Sequence, residues 1–132
     1  EDTLSLHDAL PIYVAGHKLS NAPALSFNLG LDLTVMDGGM GKVSLHPDMA
    51  YLSSQYFEVI NVSRLQQKGY ALLGGHIDWE SADGRWNASI WGKNLTNEFY
   101  FTSRVDLLAG FGFDYNHIGN PRTYGITVGT KF

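Results

Sequence analysis

Residues 122–132, RTYGITVGTKF, decide the fold of this chain. Every second residue, read back from the end, gives Phe132, Thr130, Val128, Ile126 and Tyr124; the residues between are Lys131, Gly129, Thr127, Gly125 and Thr123. Side chains alternate across a β-strand, so one face is apolar and the other small or polar. Tyr124 and Phe132 stand eight residues apart, roughly 26 Å at about 3.3 Å per residue. That is the height of the apolar band of an outer-membrane barrel, about 25 Å, edged by aromatic girdles. Tyr124, Ile126 and Val128 are therefore expected to face lipid. The edge strand of a soluble sandwich would carry the same alternation, so the remaining residues have to separate the two.

Composition points to β-structure. Of 132 residues only 17% are charged, 13% are aromatic and 15 are glycine, which suits strands joined by tight turns. No stretch approaches the roughly 20 apolar residues of a spanning helix; barrel strands give a much weaker hydropathy signal. A net charge of −4 with no Lys/Arg cluster gives no footprint for nucleic acid. The absence of cysteine excludes disulfide scaffolds and thiolate metal sites. Residues 1–12, EDTLSLHDALPI, fit no strand pattern and resemble translated sequencing-adapter read-through. Residues 1–15 are read as a non-native or disordered leader and set aside; a native amphipathic segment through Leu4, Leu6, Leu10 and Ile12 is the alternative. A start at Glu1 rather than Met is expected of a processed or truncated product.

From Leu19 onward strand patterns alternate with turn chemistry. Residues 25–35 set Phe27, Leu29, Leu31, Leu33 and Val35 against Ser26, Asn28, Gly30, Asp32 and Thr34. Asp37, Gly38 and Gly39 make a hairpin. Residues 42–51 alternate again, with a bulge or interruption expected at Pro47, which cannot donate to a ladder. Residues 61–69 read as a polar connection, 70–80 as a strand, 82–85 as a second Asp-Gly hairpin, and 86–93 as a strand. Residues 94–98 turn, 99–107 form a strand, and 109–121 read as a long Gly-rich loop before the terminal strand. The fold class is therefore all-β: an antiparallel meander of about six strands, each near the roughly 9–11 residues that cross a bilayer at a tilt. Compact turns at 19–23 and at Asn94, Leu95, Thr96 and Asn97 are assigned to the periplasmic rim and the loop at 109–121 to the outer rim, which makes the two Asp-Gly hairpins short outer loops.

Residues 91–100 (WGKNLTNEFY) and 119–132 (GNPRTYGITVGTKF) closely resemble the carboxy-terminal end of TonB-dependent outer-membrane receptors: a Trp-led strand, an Asn-Leu-Thr-Asn turn, an aromatic, a loop, Pro-Arg-Thr-Tyr-Gly and a terminal Phe. LSNAP at 19–23 resembles the turn opening an ascending strand in that family, and DMAYLSS at 48–54 its tyrosine-containing strand. The resemblance covers residues 16–132 and implies an incomplete arc of a transmembrane barrel of about 22 strands in the bacterial outer membrane. It further implies a receptor for energised uptake of a scarce nutrient, such as a siderophore, cobalamin or an oligosaccharide. The implied partners are outer-membrane lipid, the missing amino-terminal barrel and plug of the same receptor, the TonB complex through that plug, and the barrel-assembly machinery, which would read Phe132 as its signal.

Catalytic, cofactor and metal sites are not expected. His7, His17, His46, His76 and His117 are scattered, with no pair at metal-ligand spacing. His46 and Asp48 share one strand face and read as polar lumen wall. No nucleophile elbow or phosphate loop is present. Asn94 suits the left-handed turn conformation, Leu95 is expected to tuck inward and pin that turn, and Arg122 reads as a rim charge or a lumen ion pair. The sequons at Asn61, Asn87 and Asn94 are short motifs, and the resemblance to a bacterial family implies that they carry no weight. A soluble β-sandwich binding module, or a fragment of a smaller outer-membrane channel, are the alternative readings.

Overall fold

The computed structural model describes residues 13–131. Among these residues ten strands are present: β1 (Ser26–Gly30), β2 (Leu33–Gly38), β3 (Gly41–Leu52), β4 (Gln55–Tyr56), β5 (Gln66–Gln67), β6 (Tyr70–Glu80), β7 (Trp86–Lys93), β8 (Phe101–Leu107), β9 (Phe113–Ile118) and β10 (Thr123–Thr130). A 3-10 turn spans Ser63–Leu65 and a four-residue helix, α1, spans Leu108–Phe111. Among the described residues no helix is long and apolar enough to cross a membrane. All strand pairs are antiparallel; one isolated parallel bridge joins Ser20 to Tyr56.

The main sheet runs β1/β2, β3, β6, β7, β10, and its two outer edges do not meet. The expected all-β antiparallel meander is therefore what the chain forms. Its long members, β3 with 12 residues and β6 with 11, have the length of bilayer-crossing strands. Two further pairs, β4–β5 and β8–β9, are separate two-stranded sheets inserted in the connections at 53–69 and 94–122.

Three expectations are corrected. The single strand at 25–35 is two, β1 and β2, both paired with β3. The break lies opposite Pro47: Leu31 still donates to the Pro47 carbonyl at 3.1 Å, but proline has no N–H to return. The interruption expected at Pro47 thus falls on its partner, while β3 itself runs through. The loop at 109–121 contains α1 and β9, and β9 pairs with β8 from Leu107↔Phe113 to Phe101↔Ile118. Finally, residues 94–98 and 109–121 belong to one connection and leave the main sheet on the same rim, so they cannot mark opposite rims. That rim also carries residues 53–69. The other carries the two short hairpins, through Gly39-Met40 and through 82–85, and the end of β10.

Among the described residues the sheet has no second layer. Among the described residues, the buried side chains are Phe57, Leu65, Gln67 and Asn94, and all four lie in the rim connections. No side chain of the main sheet is buried. A water-soluble domain of this size would bury a contiguous apolar core.

Candidate functional site

Cross-strand register resolves the sheet into two unlike faces. On one, Ile126, Ile90, Ile77, Leu45 and Leu33 form an unbroken row across five strands. The adjacent row is Val128, Ala88, Trp79, Val43 and Met36. Tyr124, Ile126 and Val128 stand on this face at 77%, 71% and 65% exposure, so the alternation read in the terminal strand holds. Phe132 lies outside the described residues. Leu95 lies on the same face against Gly92, whose added Cβ would meet the Leu95 side chain, and its N–H donates to the Leu73 carbonyl at 2.8 Å. Leu95 thus covers Gly92 but remains 46% exposed on the apolar face, so the inward tuck expected of it is not what the chain forms.

The turn at 94–97 also ties two motifs together. Asn94 and Asn97 adopt φ of 49° and 54°, the left-handed region that asparagine tolerates. Asn94 Nδ2 donates to the carbonyls of Glu98 and Asn120, and its Oδ1 accepts from the Glu98 N–H. Asn97 Oδ1 accepts from the Arg122 N–H at 3.0 Å. One amide pair thus fixes where β7 ends and where β10 begins. Arg122 makes no ion pair among the described residues.

The opposite face is polar. Its rows read Thr127, Ser89, Asp78, Ser44, Thr34, and then Gly125, Trp91, His76, His46. Gly125 lacks a side chain because the Trp91 ring crosses it: an added Cβ would lie 2.6 Å from Trp91 Cζ2. Beside Trp91, the His46 and His76 rings stack with centroids 4.4 Å apart and planes 13° from parallel. Asp78 Oδ2 is 3.4 Å from His46 Nε2 and 3.2 Å from His76 Nε2. Asp32 Oδ1 is 2.5 Å from His46 Nδ1. His46 and Asp78 also line a concavity of about 320 Å³, together with Lys42, Ser44, Glu80, Asn87 and Ser89. His46 and His76, 30 residues apart in sequence, thus meet in space, and the expectation of no metal-ligand grouping is corrected for this pair and Asp78. Asp48, by contrast, covers Gly74 and stands apart from this cluster. His17 and His117 bond singly, to the Val59 carbonyl and to Thr102 Oγ1.

At the rim, the two long connections are clamped together. Arg64, in the 3-10 turn, pairs with Asp106 at 2.5 Å and with Asp114 at 3.0 Å, reaching both strands of the β8–β9 hairpin. Gln67 Oε1 accepts from the Phe101 N–H at 2.9 Å, and Tyr70 stacks on Tyr100 at 4.7 Å. The carboxyl of Asp106 is held below the ordinary carboxylate range, first by the Leu108 N–H and then by Arg64. Arg64 is held still more firmly charged by Asp114 and Asp106.

No protein-family model and no curated protein matches this chain. Among solved structures it superposes on the ferric yersiniabactin uptake receptor FyuA from Yersinia pestis with a TM-score of 0.64 at 21% identity. The match covers 81% of this chain and 16% of that receptor, so the chain spans a small part of that receptor's length. At this identity the likeness establishes the fold alone: an antiparallel all-β meander like that of a receptor barrel, with its sheet unclosed.

Proposed function

We propose that this chain forms part of the wall of a TonB-dependent outer-membrane receptor barrel, with the Ile126–Leu33 row against lipid and the His46–His76 face toward the lumen. The observation that carries the reading is a one-layer sheet with one continuous apolar face and no side chain buried in it. In water such a face is an aggregation surface; in a bilayer it is solvated by acyl chains. A soluble sandwich would need a second layer over it, and the described residues supply none.

Short turns on the periplasmic side and longer loops outside is the barrel rule. It places the hairpins at Gly39-Met40 and 82–85, with the end of β10, at the periplasm. Asn94, Leu95, Thr96 and Asn97 then sit at the outer rim, the reverse of the assignment made from turn compactness. The clamped connections at 53–69 and 94–122 become outer loops, and the cargo is a scarce nutrient taken up with energy coupled through the plug and TonB. The fold likeness to a ferric yersiniabactin uptake receptor favours a siderophore over cobalamin or an oligosaccharide.

Three tryptophans test the faces directly. Trp79 and Trp86 lie on the apolar face and Trp91 on the polar one. In single-tryptophan variants reconstituted in vesicles, brominated acyl chains should quench Trp79 and Trp86 and spare Trp91. Quenching of Trp91 with sparing of the other two would end the proposal.

A further inference from the structure

The geometry points to a divalent-cation site on the polar face of the sheet, formed by His46, His76 and Asp78 and oriented by Asp32, that takes a borderline ion of the Zn²⁺ class. The argument starts from the register. Pairing of β3 with β6 sets His46 directly across from His76, and Asp78 follows on the same face because side chains repeat every second residue. One ligand atom from each of the three lies within 4.8 Å of the others.

The distances fit a particular geometry. Zinc bonds nitrogen and oxygen at about 2.0–2.1 Å in tetrahedral sites, so ligand atoms on one ion stand about 3.3–3.4 Å apart. The two edges that share Asp78 Oδ2 measure 3.4 and 3.2 Å. The stacked rings must splay for both lone pairs to meet one ion. The terminal torsion of histidine is soft, and His76, with 44% of its side chain exposed, is free to turn.

Asp32 supplies the outer support. Its carboxylate at His46 Nδ1 holds the proton on that nitrogen and leaves the Nε2 lone pair toward Asp78, the carboxylate–histidine–metal arrangement that raises ligand basicity. Two aspartates also balance a dication without further charge. Imidazole and carboxylate donors without thiolate suit Zn²⁺, Cu²⁺ or Ni²⁺ better than Ca²⁺ or Mg²⁺. Three protein ligands leave one position for water, on the side of the concavity bounded by Ser44 and Ser89. An open position marks an exchangeable site rather than a sealed structural one. The site follows from strand register, so it does not rest on the membrane reading.

The test uses the full chain refolded in detergent micelles, with strand content matched across variants by circular dichroism. Replacing His7, His17 and His117 together by alanine leaves His46 and His76 as the sole imidazoles. This variant should bind one equivalent of Zn²⁺ by calorimetry and give the intense visible bands of tetrahedral Co²⁺. His46→Gln and His76→Gln, added singly, should each weaken Zn²⁺ binding at least tenfold and abolish the Co²⁺ bands. Asp32→Asn should weaken binding by about 10–100-fold while keeping the bands, a split that a direct ligand would not show. Loss of binding in the triple alanine variant, or an unchanged Kd in both glutamine variants, overturns the site.

Discussion

Arginine at position 128 and at position 127 probes the same depth from opposite faces. The two residues are neighbours on β10, about 3.3 Å apart along the strand, so membrane depth is nearly constant between them and the face is the variable. Val128 projects into the row of Ala88, Trp79 and Val43 and is 65% exposed. In a bilayer that exposure is to acyl chains, and Val128→Arg should cost roughly 2–4 kcal/mol if the site is near the midplane, falling toward about 0–1 kcal/mol at an interface. Thr127 projects beside Ser89, in the row that continues to Asp78. An arginine there meets water, hydroxyls and a carboxylate two strands away, and should cost far less. The assay is reversible folding of the barrel that carries this strand into lipid vesicles, titrated with denaturant. Equal costs, or a larger cost at Thr127, would show that the lipid and lumen faces have been assigned the wrong way round.

Gly75 holds φ of 149°, and an added Cβ would lie 2.6 Å from the His46 carbonyl oxygen and 2.9 Å from Pro47 Cα; Gly75→Ala should lower unfolding stability by about 1–3 kcal/mol, while Gly30→Ala, which meets open space, serves as the control and should change little. Arg64→Ala should release the β8–β9 hairpin from the 3-10 turn, raising amide exchange across Phe101–Leu107 and Phe113–Ile118 while leaving β3 and β6 protected. The same clamp should loosen in acid. Asp106 has a depressed folded pKa, so its contribution is present above the ordinary carboxylate pKa and is lost as pH falls through the lower folded value; protection factors in the hairpin, referred to intrinsic exchange rates at each pH, should fall over that strongly acidic window and stay flat across neutral pH. Hairpin protection factors independent of both Arg64 and acid would refute the clamp.

What could be read from the sequence was local. The faces of β10, β6 and β7 follow from period-two alternation alone, and Ile126, Ile90 and Ile77 fall where the alternation puts them. The asparagine turn was equally legible, because Asn94 and Asn97 need only their own backbone to justify φ near 50°. What escaped depends on partners distant in sequence. The break between β1 and β2 is imposed by Pro47 on another strand. The β9 alternation of Phe113 and Tyr115 against Asp114 and Asn116 was present but masked by glycines at 110, 112 and 119, which made the whole segment read as loop. The histidine cluster is the clearest instance. Across a short hairpin such as 82–85 the turn fixes register, and His76 opposite Trp91 follows from it. Between β3 and β6 lie residues 53–69, with a 3-10 turn and a strand pair of their own, and alternation tells only that His46 and His76 share a face. A shift of two residues in that register would keep every apolar side chain on the apolar face and still separate the two imidazoles. The cluster is therefore a consequence of register and not of patterning, which is why the chemistry of this sheet becomes visible only once its strands are paired.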